Sequence, residues 1–207
     1  CSVEIDVCEM LEQAYEKKTG TKVAMTRASS GETFAKIKAE SSNPKGDVWF
    51  GGTGDPHLTA AQENLTEKYK SSHFNDLLPA AQNQAKNADY KSVGIYVGAL
   101  GFGYNKDLLA KKGLPAPKSW MDLTKPIYKG EIQVANPNSS GTAYTTLATI
   151  LQIFGDDKGW DYMKKLHLNI NTYTKSGSAP IKATGRGENL IGICFQHDGV
   201  KQTKKGL

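Results

Sequence analysis

Asp47-Val48-Trp49-Phe50-Gly51-Gly52-Thr53-Gly54-Asp55-Pro56 carries three structural cues in direct succession. Asp47 to Phe50 is a short apolar run of the kind a buried strand uses. The glycines after it favour a tight turn, and Asp55-Pro56 reads as a helix N-cap with proline at the first helical position. Strand, glycine turn and capped helix form the repeating unit of an α/β fold with a largely parallel sheet.

The same cadence recurs on both sides. Upstream, Val3, Val7, Met10, Leu11, Ala14 and Tyr15 fall at helical spacing and Gly20 stops the run. Lys22 to Arg27 alternates as a short strand, and Ser29 and Glu32 have capping-box spacing ahead of Phe34 and Ile37. Downstream, the glycine-dotted apolar stretch Val93 to Tyr104 is longer than one ordinary strand and suits a chain leaving one lobe for a second. A short helix from Lys106, a proline-containing loop over Leu114 to Lys118 and a capping box at Ser119 to Asp122 follow. Ile132 to Ala135 and Leu190 to Phe195 read as strands. Gly141 to Phe154, Asp157 to His167 and Ala179 to Gly185 read as helices. The division expected is a first lobe over residues 1–94, a second over 95–195, and residues 196–207 turning back toward the first.

Composition fits this picture. Of 207 residues, 38% are apolar and 23% charged, a globular balance. The net charge of +5 is spread in pairs such as Lys17-Lys18, Lys111-Lys112 and Lys204-Lys205. A nucleic-acid binder would cluster it, so no nucleic acid is expected, although the mild positive field favours small anions. No apolar run approaches the ~20 residues of a membrane helix, and no basic-then-apolar leader opens the chain. The three cysteines show neither CxxC nor zinc spacing with histidine, so Cys1, Cys8 and Cys194 are expected as packing residues, with no metal and no cofactor.

The sharpest chemical feature is Asn136-Pro137-Asn138-Ser139-Ser140-Gly141-Thr142, which follows a strand and opens a long helix. Free backbone N–H groups, the helix dipole and three hydroxyls converge there, as an anion site requires. Plain N-capping by Ser139 or Ser140 is the alternative. Ser29-Ser30-Gly31 and Cys1-Ser2 repeat the arrangement at other strand-to-helix turns, and parallel sheets gather such turns at the carboxyl ends of their strands. His197-Asp198, just past a strand, could exchange hydrogen bonds with ligand hydroxyls; a surface histidine beside a capping aspartate is the alternative. Enzyme signatures are absent: no P-loop, no dinucleotide GxGxxG, no HExxH and no GxSxG occurs. Cys194 and His197, three apart in or near a strand, tend toward opposite faces, which does not suit a nucleophile–base pair.

Four stretches together, Gly46 to His57, Gly94 to Asn105, Gly130 to Tyr144 and Thr174 to Pro180, resemble extracellular solute-binding proteins of bacterial ABC importers. The resemblance is to the branch containing iron(III) and hexose-phosphate binders, and it runs over nearly the whole chain. It implies a two-lobed type II periplasmic binding fold, a ligand held in the interlobe cleft, and a permease as partner. It also implies a periplasmic or membrane-anchored extracellular location, with the membrane reached only through the transporter, and no catalysis. Ferric binders of the branch use adjacent tyrosines, and no Tyr-Tyr occurs here. Cys1-Ser2 stands where their histidine would be. The resemblance to sugar-phosphate binders assigns the anion to Ser2, Ser29, Ser30, Ser139, Ser140, Gly141 and Thr142. It gives the hydroxyl-bearing part to His197 and Asp198 and places Thr53 at the rim. Ferric-ion capture is the alternative. Relatives begin earlier and continue past Leu207, so the first lobe is expected to be incomplete.

Overall fold

The computed structural model describes residues 1–206. The chain divides into two compact units, Cys1–Val97 and Gly98–Leu207.

The first unit is helical around extended segments. Helix α1 (Ile5–Thr19) ends where Gly20 turns left-handed (φ 74°) and its N–H donates to Glu16 O at 2.8 Å. Helix α2 (Ser30–Ala39) starts with the expected box, the Glu32 carboxylate accepting from Ser29 N–H at 3.2 Å. Helix α3 (Gly54–Gln62) follows the glycine turn, and α4 (Pro79–Asn87) opens on a proline. Lys22 to Arg27 and Asp47 to Phe50, expected as strands, form no strand. Cys1 N donates to Thr26 O (2.8 Å), Ala28 N to Cys1 O (3.1 Å) and Ser2 N to Phe50 O (2.8 Å). The pattern starts as parallel pairing, but the chain between the two segments then leaves the line to enter α1.

A second correction concerns the cysteines. Cys1 and Cys8 form a disulfide instead of merely packing. Because α1 begins only at Ile5, Cys8 lies in its first turn, and a Cα–Cα distance of 6.1 Å is within disulfide reach. Cys194 is free and buried, as expected.

The second unit holds the sheet: β1 (Leu100–Tyr104), β2 (Ile132–Ala135), β3 (Ile170–Thr174) and β4 (Ile191–Phe195), in spatial order β1-β4-β2-β3. The β4–β2 and β2–β3 pairs are parallel and β1–β4 is antiparallel, so the sheet is largely parallel. Helices α5 (Lys106–Lys112), α6 (Gly141–Phe154), α7 (Asp156–His167), α8 (Ala179–Gly185) and α9 (Gln196–Lys204) complete it. The core joins Ile132, Val134, Ile191 and Ile193 of the sheet to Ile150 of α6 and Leu166 of α7. Two buried phenols are satisfied by backbone: Tyr128 donates to Pro115 O (2.6 Å) and Tyr162 to Trp120 O (2.7 Å). Residues 196–204, expected to turn back toward the first lobe, form α9 against α8 and β1.

Candidate functional site

The polar residues singled out by sequence fall into two clusters, one in each unit. In the first unit they gather around the glycine turn. Ser2 Oγ accepts from Trp49 Nε1 at 2.9 Å and lies 3.0 Å from Thr33 Oγ1. Gly52 closes over this pair: a Cβ there would stand 2.3 Å from Ser30 Oγ and 3.2 Å from Ser2 Cβ. Gly51 and Gly52 both take left-handed backbone (φ 78° and 91°), which glycine adopts without strain. The Tyr96 hydroxyl fixes the turn, donating to Gly52 O and accepting from Gly52 N–H, both at 2.9 Å. Ser30 is buried at the first position of α2, whereas Ser29 is committed to the capping box. Thr53 caps α3 in position only; its Oγ1 is buried without a hydrogen-bond partner.

Sequence reasoning passed over four neighbours of this cluster: Thr33, Trp49, His57 and Tyr96. His57 stacks on Trp49 (centroids 3.7 Å apart, 24° between planes) and its Nε2 meets Gly51 O at 2.8 Å. Burial lowers the pKa of this imidazole below its ordinary value, against the pull of the Gly51 hydrogen bond. Spacing could have found Trp49 and His57, since both flank the glycine turn; nothing local marks Tyr96.

In the second unit the β2–α6 turn is built by Asn136. Its side chain accepts from Asn138 N–H at 2.9 Å, and its carbonyl accepts from Ser140 N–H at 2.9 Å. Ser139 Oγ donates to Lys175 O at 3.0 Å, stitching this turn to the one after β3. Ser140 is buried at the N-cap of α6 but makes no side-chain cap. Both its hydroxyl and that of Thr142 lack a hydrogen-bond partner among the described residues, and they converge on Gly177. A Cβ on Gly177 would lie 2.1 Å from Thr142 Oγ1 and 2.9 Å from Ser140 Oγ. Ser176 Oγ and Ser178 Oγ, 3.3 Å apart, flank that glycine. Their Ser-Gly-Ser order ahead of α8 repeats the hydroxyl-and-glycine signal of the other turns and was available in the sequence.

His197 and Asp198 start α9, so they lie in the first turn of a helix. The half-exposed His197 ring stacks on Phe195 (5.6 Å, 9°), and a Cβ on Gly98 would approach it to 3.3 Å. Asp198 is buried, its Oδ1 3.8 Å from His197 Nε2. Burial, then the Asp198 charge, pushes the Cys194 thiol up to about 12, which leaves it protonated and inert. Among the described residues no group of three or more His, Cys, Asp or Glu is placed to hold a metal ion, and no helix is long and apolar enough to cross a membrane.

Residues 47–205 match the family of bacterial extracellular solute-binding proteins. An uncharacterized protein of Haemophilus influenzae is 45% identical over 207 residues, all of this chain and 60% of that protein. The periplasmic binding protein AfuA from Actinobacillus pleuropneumoniae, solved with exogenous fructose-6-phosphate bound, matches with a TM-score of 0.97 at 45% identity. That match covers 100% of this chain and 65% of AfuA. Iron-bound HitA from Pseudomonas aeruginosa matches with a TM-score of 0.75 at 20% identity, over 94% of this chain and 60% of that one, and shares the fold alone. The chain therefore spans 60–65% of the length of these relatives. With its hydroxyl-lined helix starts, its largely parallel sheet and a family match from Asp47 to Lys205, the chain belongs to the bacterial extracellular solute-binding proteins and has their type II periplasmic binding fold.

Proposed function

We propose that this chain is the ligand-capturing part of an ABC importer's solute-binding protein and that it takes a small organophosphate such as a hexose phosphate. The observation that carries the reading is the pair of unpartnered hydroxyls, Ser140 Oγ and Thr142 Oγ1, at the start of α6. A phosphate there meets two hydroxyl donors, the open N–H groups of the first helical turn and the positive end of the helix dipole. The absent side chain at Gly177 leaves room for the Thr142 and Ser140 hydroxyls themselves to come together. Ser139 holds the turn through Lys175 instead of touching ligand. His197 and Asp198 exchange hydrogen bonds with the hydroxyls of the organic part, and Ser2, Ser30 and Thr53 form a polar cluster of their own in the first unit that can hold an anion. The 45% identical AfuA, solved with a hexose phosphate, supports this choice of ligand.

The protein acts by binding and release without turnover, as its family of solute-binding proteins does, and its free thiol is protonated and buried. Its partner is the importer's permease, which reads the closed, ligand-bound state. A periplasmic or membrane-anchored extracellular location agrees with the Cys1–Cys8 disulfide, a bond that persists in oxidising compartments.

Isothermal titration against glucose 6-phosphate, inorganic phosphate and ferric citrate tests the reading, with a S140A/T142A variant beside the parent. Hydrogen bonds to a charged group are strong, so losing both hydroxyls is expected to weaken hexose-phosphate binding by about a hundredfold. Silence toward both phosphates with uptake of iron would overturn the reading in favour of ferric-ion transport.

A further inference from the structure

Away from the hydroxyl clusters, the first unit carries a face shaped by left-handed backbone. Three non-glycine residues among those described adopt left-handed conformations: Asn64 (φ 58°), Asp89 (φ 49°) and Tyr90 (φ 59°). All three serve this face, and each positions a lysine. Asn64 Oδ1 accepts from Lys91 Nζ at 2.6 Å, Asp89 pairs with Lys68, and the Tyr90 ring lies under Lys68 and Lys70 at 5.8 and 5.5 Å. Tyr90 meets buried Phe74 edge-on, centroids 5.5 Å apart, and its carbonyl accepts from Tyr69 N–H at 3.0 Å. Lys70 and Lys86 stand over Phe74 at 5.0 and 5.9 Å. Neither has a carboxylate within ion-pair distance among the described residues. Asn and Asp take left-handed backbone readily, but Tyr90 does not, and strain at such a residue gathers where a function holds it in place.

We propose that this face docks an acidic segment of a protein partner, with Lys70 and Lys86 as its charge contacts and the exposed Tyr69 as its apolar one. Asn64 and Asp89 hold Lys91 and Lys68, while Lys70 and Lys86 lie over aromatic rings with no carboxylate of their own, so their charge is open to carboxylates of a partner. An anionic membrane surface would instead be met by an amphipathic helix inserting an apolar face, and this corner offers the end of α4 and a loop with the one exposed ring of Tyr69. The identity of the partner rests on the transport reading: the acidic segment would belong to an extracytoplasmic loop of the importer's membrane subunit.

The test uses a fluorescein-labelled hexaglutamate peptide at low salt, read by anisotropy, against the parent, K70Q/K86Q and K17Q/K18Q. The last variant removes the same charge from the end of α1. K70Q/K86Q is expected to weaken peptide binding about tenfold, and K17Q/K18Q to leave it within about twofold. Equal weakening in both variants would mean diffuse charge and overturn the proposal, as would no binding by the parent. Phosphatidylglycerol vesicles form the other arm; vesicle binding lost in K70Q/K86Q without peptide binding would also overturn it, in favour of a membrane contact. Hexose-phosphate titration of K70Q/K86Q should match the parent, so a failure of the ligand assignment and a failure of this surface are separately visible.

Discussion

Ser139, Ser140 and Thr142 stand within one turn of chain, yet their hydroxyls divide between two tasks. Ser139 is spent on the Lys175 carbonyl, and that bond brings Gly177 under the other two hydroxyls. Ser29 and Ser30 split the same way, one in a capping box and the next buried against Gly52. A serine-rich turn thus needs one residue for its own geometry before it has another to offer a ligand. His57 gives this scale a pH signature. Burial lowers its pKa in the folded protein from the ordinary 6.5, so just below that pH the unfolded chain holds a proton the folded chain does not. The stability His57 contributes is complete above about pH 6.5 and falls as the pH drops from there toward the folded pKa. Urea midpoints of parent and H57Q between pH 7.5 and 5 should diverge in slope, with the parent falling more steeply; parallel curves would contradict the burial argument.

At the scale of elements, α8 packs backbone-close against β4. A Cβ on Gly192 would stand 2.8 Å from the Pro180 carbonyl carbon and oxygen, which are backbone and cannot swing aside. G192A is therefore expected to cost about 1–3 kcal/mol, measurable as a lowered urea midpoint with unchanged m-value. A neutral result would mean that α8 moves freely on the sheet. Much of the element order was legible in sequence. Gly20, the Ser29–Glu32 box, Gly113-bounded α5 and the Ser turn before α6 are punctuated by residues whose backbone preferences are local. Strand β3 was not: Ile170-Asn171-Thr172-Tyr173-Thr174 is an edge strand, largely exposed, so it carries neither an apolar run nor an alternation. The reverse error fell on Lys22 to Arg27 and Asp47 to Phe50, whose strand-like patterns depend on neighbours far along the chain. The site was legible where it is made of helix starts. It was hidden where Thr33 and Tyr96 reach it from distant positions.

At the scale of the molecule, the sheet and the larger apolar core belong to the second unit, while the first has a few small buried residues such as Ala60, Ala61 and Ala85 beside Phe74, and the Cys1–Cys8 bond. Closing a loop over a separation of seven residues restricts the unfolded chain by roughly 2 kcal/mol. Reduction should therefore lower the thermal transition of the first unit and leave that of the second in place, followed by calorimetry with and without reductant. A common shift of both would show that they unfold as one. The transport account itself depends on where a phosphate sits. The most direct measurement is a titration of ¹⁵N-labelled protein with glucose 6-phosphate, following backbone amides, with S140A/T142A and G177A beside it. The account expects the largest shifts at Gly141, Thr142 and Gly177, lost in S140A/T142A and in G177A, whose added methyl would crowd both hydroxyls. Saturable shifts that leave those amides still, or none at all, would contradict it.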